Sequence, residues 1–177
     1  MLAIGRVAYT WNGLHESLAY LFWAVLKIEN GVIPFSIWHS VGSDRTQREM
    51  LLAATKASGF AKATEDEIIW LLKHTLNLAE NRNNALHAPI WVLTNLNGHV
   101  VEPNDLFLNP RAKKLRGKDL LIELEWYAAT AETLMGFAHG IAHSISLSAQ
   151  HSLPQRPLLP SLGQKSQKGS PRKKPPG

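Results

Sequence analysis

The stretch ENRNNALHAP (residues 80–89) sets an arginine, an asparagine and a histidine close together: Arg82, Asn83 and His87. A guanidinium offers a planar fork of donors that fits phosphate oxygens and neutralises charge in a transition state. An imidazole takes up and returns a proton near neutral pH. An asparagine orients either partner by hydrogen bonding. The three types together suit phosphodiester chemistry, and none of them calls for a metal ion or a cofactor.

These residues need an element to hold them. Residues 64–88 carry a helical pattern whose core stripe reads Ile69, Leu72, Leu76, Ala79, Asn83 and Leu86. Its start, Thr64-Glu65-Asp66-Glu67, has the form of a capping box with acids in the first turn, and Pro89 ends it. On this wheel Arg82 and His87 stand about 140° apart, at ~100° per residue. Polar groups buried unpaired on such an edge would be costly. They are therefore expected to line a cleft or a surface where a second subunit docks. A polar last turn that caps its own carbonyls is the alternative.

Further residues could extend the site. Arg45 and Arg48 lie near the start of a helix that Ser43 or Asp44 caps, with Asp44 and Glu49 beside them. They could extend a phosphate-binding surface, but a salt-bridged, solvated face is the preferred reading. Asn12 and Glu16 are polar on a strongly apolar first helix and could orient Arg82 or His87 from across the bundle, although the preferred reading gives them no such role. RAKKLRGK (111–118) brings Lys113, Lys114 and Arg116 into one loop that could track a nucleic-acid backbone. His139 and His143 are four apart, but no third ligand accompanies them, so no metal site is expected.

The remaining pattern is helical. Ile4, Val7, Trp11, Leu14, Leu18, Leu21, Val25 and Ile28 step by three and four, which predicts a first helix ending near Asn30-Gly31. A second runs from Ser43–Asp44 to about Ser58–Gly59, and the third is the one that carries Arg82. IWVLTNLNGHVV (90–101) reads as a β-hairpin turning at Asn97-Gly98. The last helix spans about Lys118 to Ser148, with its stripe at Leu121, Leu124, Ala128, Ala131, Met135, Ala138, Ala142 and Ile145. The expected fold is all-α: a bundle of about four long helices with a small hairpin before the last.

Composition separates a domain from a tail. Of 19 basic residues six lie beyond position 148, which leaves 13 against 14 acidic residues and a net charge of −1 for 1–148. The tail, 149–177, also holds six of the ten prolines, and its composition predicts a disordered basic arm. With no cysteine, a disulfide framework and a thiolate metal site are excluded. The longest apolar run, LAYLFWAVL (18–26), is too short to span a bilayer, and no secretory signal stands out. A cytoplasmic protein without a membrane role is expected.

R-N-x-x-x-H at the end of a long helix resembles the signature of the HEPN superfamily (higher eukaryotes and prokaryotes nucleotide-binding). YTWNGLHESLAYLF and IWHSVGSDRTQREML are also similar to a bacterial branch of HEPN-like proteins. The resemblance covers 1–148. It implies a metal-independent endoribonuclease of toxin or defence type, working as a homodimer on RNA, with Arg82, Asn83 and His87 as the motif residues. It also implies a regulatory protein partner such as an antitoxin. Some HEPN toxins carry a modifiable tyrosine two residues after the histidine; Pro89 stands there, so that control is not expected. Other members only bind, which gives the alternative: a catalytically silent nucleic-acid-binding or interaction module.

Overall fold

The apolar seam of the N-terminal residues becomes α1 (Leu2–Leu26), and the seam buries Val7, Trp11, Leu14, Leu18, Leu21 and Val25. The computed structural model describes residues 2–95, 98–104, 109–147 and 152–162. Ile4 and Ile28, at the two ends of the expected stripe, are exposed. The helix stops four residues earlier than its pattern: Lys27 turns left-handed at φ 53° and its N–H returns to the Ala24 carbonyl. Gly31 is not the cap of α1. It precedes α2 (Val32–Ser40), and a Cβ there would sit 3.1 Å from the Trp23 ring.

Three further helices complete the core. They are α3 (Asp44–Ala57), α4 (Lys62–His87) and α6 (Leu120–Ser146). α1 packs mainly on α6, and α4 on α6. The small residues expected on α6 do permit close approach: Ala128, Ala131 and Ala138 are buried, and a Cβ on Gly13 of α1 would meet the Met135 sulfur at 3.0 Å. α6 buries a wider face than its stripe, adding Leu120, Tyr127, Leu134, Phe137 and Ile141, while Leu121 is exposed. Buried threonines are satisfied within their own helices; Thr75 and Thr130 donate to the carbonyls of Leu71 and Trp126 at 2.9 and 2.8 Å.

The fold is mostly helical with one hairpin, and the finer expectation needs correction. The long helices are α1, α4 and α6, of 25, 26 and 27 residues; α3 has 14. Two short helices were not anticipated. One is α2, and the other is α5 (Pro110–Lys114), which Asn109 caps by accepting from the Arg111 and Ala112 N–H groups. β1 (Ile90–Asn95) pairs antiparallel with β2 (Gly98–Pro103), Asn95 opposite Gly98. Asn97 of the expected turn lies outside the described residues. α4 begins at Lys62 without a side-chain cap, so the Thr64 capping box does not form; Lys62 instead pairs with Asp66 at 3.0 Å.

Two expectations change more deeply. α4 buries Ile68, Leu71, Leu72, Thr75, Leu78, Ala79 and Ala85, so its core face is rotated by about one residue, and Leu76 and Asn83 are exposed. Secondly, the tail is not disordered throughout. Residues 152–162 lie against α4 and α6, with Leu159 packed on the core and the Trp126 indole N–H bonded to the Pro160 carbonyl at 2.6 Å. Residues 149–151 and 163–177 lie outside the described residues. Among those described, no helix is long and apolar enough to cross a membrane.

The short helix α2 is fixed by Trp38, whose side chain is fully buried and stacks obliquely on Phe22 at 5.6 Å between ring centres. Removing that ring leaves a cavity beneath α2. Trp38→Ala is expected to cost about 3–5 kcal/mol of unfolding free energy in urea denaturation. A loss under about 1 kcal/mol would contradict this anchoring role.

Candidate functional site

The rotation of α4 decides where its polar residues go. Arg82 falls on the core side, between Leu78–Ala79 and Ala85, and points toward α1 and α3. Its guanidinium lies over the Trp11 ring, 4.5 Å from the centroid, and Nη1 is 3.7 Å from Asp44 Oδ2. The side chain keeps 20% of its surface exposed. Burial lowers its pKa from the ordinary value and Asp44 opposes that shift; the group remains a cation at neutral pH. Its Nε is buried and has no hydrogen-bond partner.

Asp44 is the first residue of α3, where the helix dipole favours a carboxylate. Ser43 is the cap, accepting from the Thr46 N–H, so the Asp44 side chain is left for other partners. Its Oδ2 accepts the Trp11 indole N–H at 3.0 Å and lies 3.8 Å from His15 Nε2.

His15 escaped the sequence reading. It sits on the buried face of α1, four residues after Trp11, and the two rings are 4.8 Å apart. Gln47 fixes its state. The Gln47 amide donates to the carbonyls of Trp38 and Val41, so its Oε1 faces His15 Nδ1 at 3.1 Å. That network assigns the proton to Nδ1 and leaves a lone pair on Nε2, which is buried and without a partner. Desolvation lowers the His15 pKa and outweighs Asp44, which raises it; Arg48 and Arg82 also lower it.

These groups surround a solvent-open hollow of about 380 Å³, lined by Trp11, Asn12, His15 and Glu16 of α1, Trp38 and His39 of α2, Asp44 and Gln47 of α3, and Arg82 of α4. The structure thus brings Asn12 and Glu16 to Arg82's hollow. Glu16 is 3.7 Å from His39 Nε2, an ion pair when that ring is protonated. His87 does not line the hollow. It is exposed at the last turn of α4, and no hydrogen bond or ion pair holds it among the described residues.

The remaining candidates separate. Asn83 and Arg48 line a second groove, about 610 Å³, between α3 and α4, with Arg45, Glu49, Leu52, Leu72 and Leu76 among its walls. Arg48 is buried, its Nη1 has no partner, and desolvation lowers its pKa. Arg45 is exposed and bonded to Glu49 at 2.8 Å. Lys113 and Lys114 are exposed on α5, and Arg116 is exposed just after it. His139 bonds Ser17 at 2.9 Å, and no cluster of metal-ligating side chains occurs among the described residues.

The hollow is therefore walled by a partly exposed guanidinium and a half-exposed carboxylate, while Arg82 Nε and His15 Nε2 are buried and without hydrogen-bond partners. Such a site can take a phosphate oxygen on the exposed part of the Arg82 guanidinium. Comparison of the chain with protein-family models, curated proteins and solved structures gave no match.

The lowered His15 pKa sets the sign of one pH effect. Below the ordinary histidine value of about 6.5 the unfolded chain binds a proton that the folded chain resists, so stability is present above that pH and declines as pH falls through it. The difference in unfolding free energy between wild type and His15→Gln is expected to shift in the variant's favour from pH 7 to pH 5. An unchanged difference across that range would contradict the assignment of a neutral, buried imidazole.

Proposed function

We propose that the chain is a HEPN-like, metal-independent RNA-cleaving protein, and that its working unit is a homodimer of helical bundles. The observation that carries this reading is a partly exposed cation, Arg82, lining an open hollow, while an exposed imidazole, His87, stands five residues further along the same helix. Because the two residues diverge by about 140° around α4, one subunit does not turn both onto one phosphate. A second copy docked over this end of α4 would supply the missing group.

In the reaction the ribose 2′-OH loses its proton to one His87 and its oxygen attacks the adjacent phosphorus. The bond from phosphorus to the 5′-oxygen breaks, and the His87 of the other subunit protonates that oxygen. Arg82 stabilises the extra negative charge on the phosphoryl oxygens. His15, Asp44, Gln47 and Trp11 are positioning residues that hold Arg82. Asn83 and Arg48 in the second groove, with Arg45, Lys113, Lys114 and Arg116, extend the surface for the RNA backbone. An antitoxin or other regulatory protein would act by covering the hollow.

One observation favours a second reading, a nucleic-acid-binding or interaction module without catalysis: Arg82 is engaged by Trp11 and Asp44, and His87 lies outside its hollow. The two readings part in one assay. Single-stranded RNA incubated with excess EDTA is expected to give 2′,3′-cyclic phosphate ends, and DNA to resist. Arg82→Ala and His87→Ala should each lower cleavage by roughly a hundredfold or more. Binding that Arg82→Ala weakens, with no cleavage by wild type, would contradict the enzyme and leave the module.

A further inference from the structure

The described part of the tail, SLPQRPLLPSL (152–162), is built like a ligand. Its prolines, Pro154, Pro157 and Pro160, recur every third residue and are all half-buried, while Gln155 and Leu158 are exposed to solvent. A period of three is that of a polyproline II helix. The length agrees. Ser152 lies against Ser144, and Pro160 against Trp126. Eight residues at ~3.1 Å span about 25 Å, and the eighteen helical residues from 144 back to 126 span about 27 Å at 1.5 Å each. The segment therefore runs extended and antiparallel along α6.

The helices offer a matching seat. Gly140 makes room for the first proline, since a Cβ there would lie 3.1–3.2 Å from the Pro154 ring. The Trp126 indole N–H grips the Pro160 carbonyl at 2.6 Å. Between them Arg156 pairs with Glu67 at 2.8 Å and lies 5.7 Å from the Trp70 ring centre. Aromatic rings, an indole donor to a carbonyl and an acid for one basic residue form the chemistry by which proline-rich segments are recognised. Meanwhile no residue of 152–162 is fully buried, and the core is made of residues from the helices. A segment held this way opens at a small fraction of the cost of unfolding.

We propose that the α4–α6 face around Gly140, Trp126, Trp70 and Glu67 is a receptor for a proline-rich segment of a partner protein, of pattern Pro-x-Arg-Pro-x-x-Pro, and that residues 152–162 are its built-in competitor. The seated segment shows the required chemistry: prolines in a three-residue register and an arginine opposite Glu67. Tethering gives this internal ligand an effective concentration of about a millimolar, so the partner must outbid it or meet a chain whose segment has opened.

The test loosens the segment and leaves its seat intact. In a full-length Pro154→Ala/Arg156→Ala/Pro157→Ala variant the residues of the α4–α6 face are unchanged. A fluorescein-labelled SLPQRPLLPSL peptide is expected to bind this variant at least roughly tenfold more tightly than the wild-type chain, whose own segment competes. A peptide of the same composition with its prolines out of register should bind neither, and Glu67→Gln added to the variant should weaken binding of the native-register peptide. A variant with native circular dichroism that ignores the peptide, binding no tighter than to wild type, or binding indifferent to register would each overturn the proposal.

Discussion

Three helices converge on one carboxylate oxygen. Oδ2 of Asp44 takes the Trp11 indole proton from α1, faces the Arg82 guanidinium of α4 at 3.7 Å, and lies 3.8 Å from His15. The first residue of α3 thereby ties that helix to both neighbours. The balance is delicate because two guanidiniums, Arg48 and Arg82, lose hydration here and both feel Asp44. An arginine stripped of water and left without an acceptor is unfavourable. Asp44 and the Trp11 ring supply part of what Arg82 loses, and Nε is left over. Folding thus holds a cation on the wall of a hollow with part of its side chain open to solvent.

Gln47 carries the second constraint. It accepts from His15 and donates to the carbonyls of Trp38, in the last turn of α2, and Val41, just after it. One amide therefore ends α2, fixes the tautomer of His15 and fastens α3 to α1. Trp38 pins α2 from beneath. The hollow is rigid for the same reason that α2 exists, and a change that loosens α2 would be felt at His15 before it reached the rest of the core.

The sequence made the long helices plain, since an unbroken three-and-four spacing over 20 or more residues leaves few alternatives. It was weaker where two patterns competed. α4 carries leucines on two adjoining faces: Leu71 and Leu78 are buried, Leu76 is exposed, and only packing against α6 selects between them. That choice moved Arg82 inward and Asn83 outward. α2 is nine residues containing a proline and flanked by glycines, too short for a clear period. Residues 152–162 read as unfolded because composition records low burial, whereas their order comes from a three-residue register that fits a helical face. His15 was visible as one of three polar residues on the buried side of α1, with Thr10 and Ser17, but its role depends on Gln47 and Asp44, more than 25 positions away.

The proposed reaction requires Arg82 to receive a phosphate oxygen at the part of its side chain that stays exposed. The most direct measurement follows the Arg82 Nε–H resonance in ¹⁵N-labelled protein while a 2′-O-methyl oligoribonucleotide, which binds but cannot be cut, is added. The predicted result is a saturable shift of that resonance, with the His15 ring nitrogens moving in step. A bound oligonucleotide that leaves the Arg82 and His15 signals where they were would contradict it.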